Sequence, residues 1–285
     1  MIARRRLITP RSAQALASVV VWGTTVAAVV ILVLILVFVL GRGLPHVGWS
    51  FLSRAPVDSG RGGGVLPIIA GTLEVTGLGV AVAAPLGIGT AVYLVEYTHE
   101  GPLTRVIRFG TECLAGVPSI IFGLFGFVLF VLGLGLGWSI LAGAVTLAFM
   151  TLPTIIRTSE EALRAVPAAY REVSLSLGAS KWQTIRKVVL PAAVPGILTG
   201  IVLALGRAIG ETAAVIFTAG SNLPRLIPTS LLEGTRTLSV HFYQLAREGI
   251  SAENAYATAA VLVLAISLTN VAAYAAMNRF MRRYR

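Results

Sequence analysis

The chain has 285 residues, 56% of them hydrophobic and only 12% charged, with 23 Lys and Arg against 12 Asp and Glu. Soluble domains carry roughly 25% charged residues. There is too little charge here to cover a water-facing surface, which excludes a disordered tail protein and a soluble nucleic-acid binder despite the formal charge of +11. The single cysteine, Cys113, excludes an internal disulfide framework and a thiolate metal cage.

A bilayer core about 30 Å thick needs roughly 20 apolar residues per spanning helix, and six segments have that length. The first, 18–40, follows Arg4, Arg5, Arg6 and Arg11 in the manner of a signal peptide. A signal core is only about 7–15 residues long, so this run is read as an uncleaved first span. The second, 66–95, carries one acid, Glu74. The third, 112–132, opens on Glu112 and is separated from the fourth, 138–156, by a turn from Gly133 to Gly137. The fifth, 194–219, holds Arg207 and Glu211, and the sixth is 255–277. Between the first two spans, residues 42–64 end in Arg61-Gly62-Gly63-Gly64. This run is either a flexible loop or a backbone nest offering N–H groups to an anion. Residues 220–252 contain an amphipathic stretch around His241, Phe242, Tyr243 and Leu245, read as a short helix on the membrane surface. The whole is expected to be one membrane domain, residues 1–285.

Counting basic residues orients the chain. With six crossings, sixteen of the 23 fall on the side that holds both termini, the 97–110 loop and the 157–193 loop; six fall on the other side, and Arg207 lies within span five. Both termini are therefore expected in the cytoplasm. No G-x-x-x-x-G-K-[ST] phosphate loop, H-E-x-x-H or G-x-S-x-G occurs. His46, His99 and His241 are spread over three loops, which gives no shared metal site. A chain of this kind that moves a solute uphill must draw its energy from elsewhere.

The long polar segment 157–193 is the most informative. Pro167 can open a helix, Gly178 can close it, and Ser180 can cap a second helix through Lys181, Trp182 and Ile185. Pro191 and Pro195 punctuate the entry to span five. The spacing resembles the EAA loop of importer-type ABC transporter permeases: Glu-Ala-Ala, three residues, Gly, nine residues, Ile, one residue, Leu-Pro. Glu172, Gly178, Leu190 and Pro191 stand at the matching positions, with Ala179 beside the glycine. Val173 and Ser174 replace the alanines, and Val188 replaces the isoleucine. The resemblance implies an all-α membrane permease of the type I importer kind, whose loop docks as a coupling helix on an ATP-hydrolysing subunit. Arg171 and Glu172 are then expected to offer ion pairs at the rim of that contact.

Within the membrane, Arg207 and Glu211 are four residues apart, so on a continuous helix they share one face about 6 Å apart along the axis. They either neutralise each other or line an anion pathway, since ionisable groups inside a bilayer are costly and functional by default. Glu74 and Glu112 are candidates for helix-to-helix hydrogen bonding or for the pathway, and Arg157 for a pathway cation or a positive-inside anchor. The segment Arg207-Ala-Ile-Gly-Glu-Thr-Ala, with Phe217-Thr-Ala, Ser221-Asn and Thr237-Leu-Ser-Val, resembles the phosphate-specific branch of the permeases, the PstA-like subunits. By that resemblance Arg207, Glu211 and Arg157 match functional charges of the branch. It implies a second homologous permease (PstC-like), two nucleotide-binding ATPase subunits (PstB-like) that bind ATP and Mg, and an extracytoplasmic phosphate-binding protein (PstS-like). No cofactor is expected in this chain, which would be a transport subunit rather than an enzyme, in a bacterial inner membrane. A permease for another oxyanion or small solute is the nearest alternative, and an ATP-independent channel a more distant one.

Overall fold

A computed structural model describes residues 10–98, 101–224 and 226–281. His99 and the basic positions Arg4, Arg5, Arg6, Arg225, Arg282, Arg283 and Arg285 lie outside the described residues. The uninterrupted apolar run at the start forms α1 (Pro10–Gly43). The glycine-rich stretch after it folds into α2 (Trp49–Ser53) and a small hairpin, β1 (Pro56–Val57) paired antiparallel with β2 (Gly62–Gly63). Next comes α3 (Leu66–Val92), which widens into a π-helical turn over Tyr93–Tyr97. Then α4 (Pro102–Gly116) and α5 (Ser119–Gly126) meet at a bend of 102°, and α5 ends in a π turn over Phe127–Gly133. The central helix α6 (Ile140–Arg164) leads into α7 (Ala168–Ser176) and α8 (Lys181–Thr184). A π turn over Ile185–Val189 joins α8 without a break to α9 (Leu190–Gly210), followed by α10 (Ala213–Thr218), α11 (Leu238–Arg247) and α12 (Ala252–Met281).

Among the described residues, five helical stretches are long and apolar enough to cross a membrane, those built on α1, α3, α6, α8 with α9, and α12. The bent pair α4 and α5 makes a sixth if it counts as one span. The chain is thus a multi-pass all-α membrane protein. Three expected span limits shift, each for a physical reason. The third, 112–132, is not one helix: Pro118 disfavours helical backbone at the residue before it, Val117 is extended (φ −73°, ψ 129°), and the chain turns there. What precedes the turn is amphipathic, with Leu103, Val106 and Phe109 exposed and Arg105, Arg108 and Glu112 on other faces. Such a helix lies along a membrane surface. The fourth span does not end at Ile156. Arg157, Glu160, Glu161 and Arg164 repeat at helical spacing and carry α6 two further turns. At Pro191, expected to punctuate the entry to span five, the helix instead runs on from the π turn into α9.

The glycine-rich segment 42–64 is folded rather than an open loop: Gly64 N–H donates to the Ala55 carbonyl at 3.1 Å, Arg61 N–H to that of Asp58 at 2.9 Å, and Gly62 and Gly63 pair with β1.

α6 packs between α3 and α9. Small residues let these backbones approach: a Cβ at Gly87 of α3 would stand 2.7 Å from Ile155 Cγ2, and one at Gly200 of α9 would run into the Thr158 hydroxyl. At one end of the bundle Ala91, Val92, Leu163, Val166, Ile185, Val189, Ala193 and Ile197 form an apolar core beneath α7 and α8. At the opposite end Phe51, Val65, Ile68, Leu238, Ala257 and Val261 form another beneath the hairpin and α11. A Gly200→Leu substitution is expected to cost about 1–3 kcal/mol by overpacking the α6–α9 contact. A lower unfolding temperature of the purified protein in detergent would report it; an unchanged one would mean that α9 slides to relieve the clash.

Candidate functional site

α9 ends where two intramembrane charges lie. After Gly210, itself a poor helix former, Glu211 is extended (φ −72°, ψ 129°), and α10 starts two residues later. Glu211 Oε1 accepts a hydrogen bond from the Ala214 N–H at 3.3 Å, and its carbonyl accepts one from Ser239 Oγ at 2.6 Å. Arg207 stands in the last turn of α9, not at the middle of a helix; it is exposed and forms no ion pair among the described residues. The expected shared helix face of Arg207 and Glu211 is therefore corrected, because the helix stops between them. Each charge meets a helix end of opposite sign instead: the guanidinium is on the turn that leaves carbonyls unpaired, the carboxylate on the turn that leaves N–H groups unpaired. Glu74, partly buried on α3, likewise forms no ion pair among the described residues.

Past α10 a hydroxyl-rich segment is buried whole, from Thr235 through His241. Leu238 N–H donates to Thr72 Oγ1 at 2.9 Å, which ties the segment to α3. Arg236, only 8% exposed, donates to the Ser221 carbonyl from Nε at 2.7 Å and also from Nη2, and its Nη1 lies 3.3 Å from His241 Nδ1. Burial lowers the Arg236 pKa to about 10, with Glu248 opposing the shift. Burial, then the Arg236 charge, lowers that of His241 from 6.5 to about 3. His241 is therefore neutral in the folded protein and accepts at Nδ1. Its stabilising contribution is complete above pH 6.5 and is lost as pH falls from there toward 3, where only the unfolded chain takes up the proton. The fall in thermal stability between pH 7 and pH 4.5 is expected to be smaller in His241→Gln than in the wild type. An equal fall in both would remove His241 from this role.

At the other end of the bundle, ion pairs join α4 to α6. Glu160 Oε1 lies 3.5 Å from Arg108 Nη2 and 3.8 Å from Arg164 Nη2, and Arg157 Nη2 lies 3.9 Å from Glu112 Oε1. With Thr111 and Glu161 they line a cavity of about 260 Å³. Arg157 and Glu112 are mostly exposed, so their pair contributes little stability.

The α7–α8 elbow has the expected form. Gly178 takes φ +79° and closes α7 with paired bonds, Gly178 N–H to the Leu175 carbonyl (2.9 Å) and Ala179 N–H to that of Ser174 (3.2 Å). Ser180 and Gln183 form a reciprocal capping box at the start of α8. No heavy atom lies within 4 Å of a Cβ built at Gly178. The outer face carries Glu172, Tyr170, Val173, Trp182 and Leu177, the last 83% exposed. Leu190 and Pro191 begin α9 just above. Arg171, expected at the rim beside Glu172, points inward and pairs with Glu96 at 2.7 Å.

With this geometry in view, residues 83–285 match the family described as "Binding-protein-dependent transport system inner membrane component". The chain belongs to that family. Among its relatives, the probable ABC transporter permease protein YqgI of Bacillus subtilis is 34% identical over 85% of this chain and 87% of its own length. The phosphate transport system permease protein PstA 1 of Mycobacterium tuberculosis is 43% identical over 68% of this chain, and the match spans 65% of that relative. The PstA protein of Haemophilus influenzae is 34% identical over 83% of this chain and 84% of its own length. In fold, the chain is similar to a bacterial ABC transporter that imports alginate (TM-score 0.65, 16% identity, 94% of this chain and 99% of that one). It is also similar to the methionine transporter MetNI in an inward-facing conformation (TM-score 0.62, 22% identity, 74% and 93%). The permease architecture is thus the type I ABC importer fold.

Sequence reasoning passed over three groups in this permease. Arg236 counted only as one of six basic residues on the sparser side, although a hydroxyl follows it at Thr237 and again at Ser239. Glu96 lies just past the expected end of span two at residue 95. Glu160 and Glu161 lay in what was read as loop, and their helical spacing with Arg157 and Arg164 was the available signal.

Proposed function

We propose that this chain is a permease subunit of an ATP-driven inorganic phosphate importer and forms half of the translocation pathway. The observation that carries this reading is Arg207: an exposed guanidinium without an ion partner among the described residues, at a break in an apolar span. A neutral solute gives no reason to keep a cation there at such cost, whereas an oxyanion passing between two permeases does. Broken helices at this depth are also where transporters of other folds build their substrate sites. The naming of several relatives as phosphate permeases supports phosphate among the oxyanions.

In this reading Glu211 holds the break in shape, and Arg157 and Glu74 line the path at other depths. The basic residues of α4, α6, α7 and α8 put that end of the bundle, and with it both termini, in the cytoplasm of a bacterium. The α11 end then faces an external phosphate-binding protein (PstS-like). A second permease (PstC-like) covers the exposed face of α9. Two ATPase subunits (PstB-like) bind ATP and Mg and receive the apolar face of α7 and α8 around Glu172, Gly178 and Ala179, with Leu190 and Pro191 carrying the push into α9. This chain itself holds no cofactor. Closure of the ATPases moves the 167–190 segment, the spans open outward, and phosphate crosses by alternating access.

Binding-protein-stimulated ATP hydrolysis by the purified four-component complex tests this. Stimulation by the binding protein loaded with phosphate, and none with sulfate present instead, is expected. Equal stimulation by both anions would make the chain a general oxyanion permease.

A further inference from the structure

Arg171 lies on the inward face of α7, opposite the surface proposed to meet the ATPase. Its guanidinium makes four hydrogen bonds to two other elements. Nε and Nη2 both reach Glu96 Oε1, at 3.0 and 2.7 Å, while Nη1 donates to the Val166 carbonyl and Nη2 to the Leu163 carbonyl, each at 2.9 Å. Those carbonyls sit at and just past the C-terminal end of α6, where the regular helical bonding runs out. Glu96 belongs to the π turn that ends span two, and its side chain is only 8% exposed. One side chain thus fastens α7 to span two and span four together. A second tie runs parallel to it: Lys181 Nζ of α8 lies 5.2 Å from the centre of the Tyr97 ring, in the same π turn. Behind both ties, Val92, Leu163, Val166 and Ile185 share one apolar core.

Two donors of one planar guanidinium converge on a single oxygen of a poorly exposed carboxylate while its other N–H groups hold two carbonyls, which fixes direction as well as distance. An exposed ion pair would yield under load, and the apolar core alone would allow α7 to slide. We infer that the Arg171–Glu96 pair is the joint through which the ATPase-docking helix moves the end of span two. This inference rests on the importer reading above. It makes Arg171 and Glu96 positioning residues that touch neither phosphate nor ATP.

The test uses the whole complex in proteoliposomes, with Arg171→Ala, Arg171→Lys and Glu96→Gln in this chain. Two quantities are read: phosphate accumulated per ATP hydrolysed, and the distance between spin labels at Ser176→Cys on α7 and Leu86→Cys on α3 in a Cys113→Ser background, with and without ATP and vanadate. In the unaltered joint the labels are expected to keep one narrow distance in both states. In Arg171→Ala, hydrolysis persists, phosphate moved per ATP falls about tenfold, and the label distance broadens on trapping. Arg171→Lys keeps the charge but cannot span the carboxylate and both carbonyls, so it falls between the two, and Glu96→Gln does likewise. Unchanged phosphate per ATP in Arg171→Ala would overturn the joint. So would uptake and hydrolysis falling in proportion with the label distance unaltered, since Arg171 would then only brace the docking surface. The label distance needs no phosphate. If the wild-type complex hydrolyses ATP but takes up none, the substrate assigned above is wrong, and the distances alone decide the joint.

Discussion

Arg207→Gln is expected to lower phosphate uptake by about a hundredfold while leaving the complex assembled. Glutamine is shorter but still donates, and position 207 is exposed, so packing at the end of α9 is little altered. What disappears is the charge. Losing one charged partner of a desolvated anion costs about 3 kcal/mol, which corresponds to that factor. Arg207→Lys should retain part of the activity, because an ammonium supplies charge without the planar fork. The helix break makes a further result specific. If Arg207 and Glu211 were simple partners on one helix, exchanging them would restore assembly. Here the exchange places a carboxylate at the carbonyl end of α9 and a guanidinium on the N–H groups of α10, each the wrong sign for its helix end, at up to about 1 kcal/mol apiece. The double variant should therefore be less stable than either single one. Assembly at wild-type levels in the exchanged variant would contradict this placement, and normal uptake by Arg207→Gln would remove Arg207 from the pathway.

Gly178→Asp carries the second large effect. At φ +79° most side chains are strained, but Asp tolerates this region better than most. With no heavy atom of the chain near a Cβ there, α7 and α8 should keep their places. The new carboxylate projects from the elbow between Leu177 and Ala179, on the face proposed to enter the ATPase groove. Membrane insertion should be normal, and ATP-driven uptake should fall by more than about tenfold, since an unpaired charge pressed into a protein contact costs several kcal/mol. Gly178→Asn has the same backbone tolerance without the charge and should be milder. Uptake by Gly178→Asp at wild-type rates would place the coupling contact elsewhere.

The long apolar runs were legible because little except a bilayer explains them, and the α7–α8 elbow because Gly178 and Ser180 are punctuation with one local meaning. The breaks were harder to see. Val117-Pro118 lies inside an apolar stretch, so hydropathy alone passes over the turn there, and Pro85, Pro153 and Pro195 lie within continuous helices, so a proline alone does not mark one. The Arg-x-x-x-Glu spacing of 207–211 imitates a helical pair; only Gly210 before Glu211, and Ser239 waiting to bond the Glu211 carbonyl, tell against it, and Ser239 is remote in sequence. The same holds for Glu96 and Arg171, 75 residues apart: a long-range contact leaves no periodic trace. The polarity of 157–164 suggested a loop, yet it was the polar face of α6 continuing beyond the apolar layer.

The most direct test is uptake of radiolabelled phosphate by the reconstituted complex, with and without ATP and with sulfate as competitor. The expected result is ATP-dependent accumulation that a hundredfold excess of sulfate leaves unchanged. Accumulation without ATP, or loss of uptake in sulfate, would contradict a phosphate-specific, ATP-driven permease.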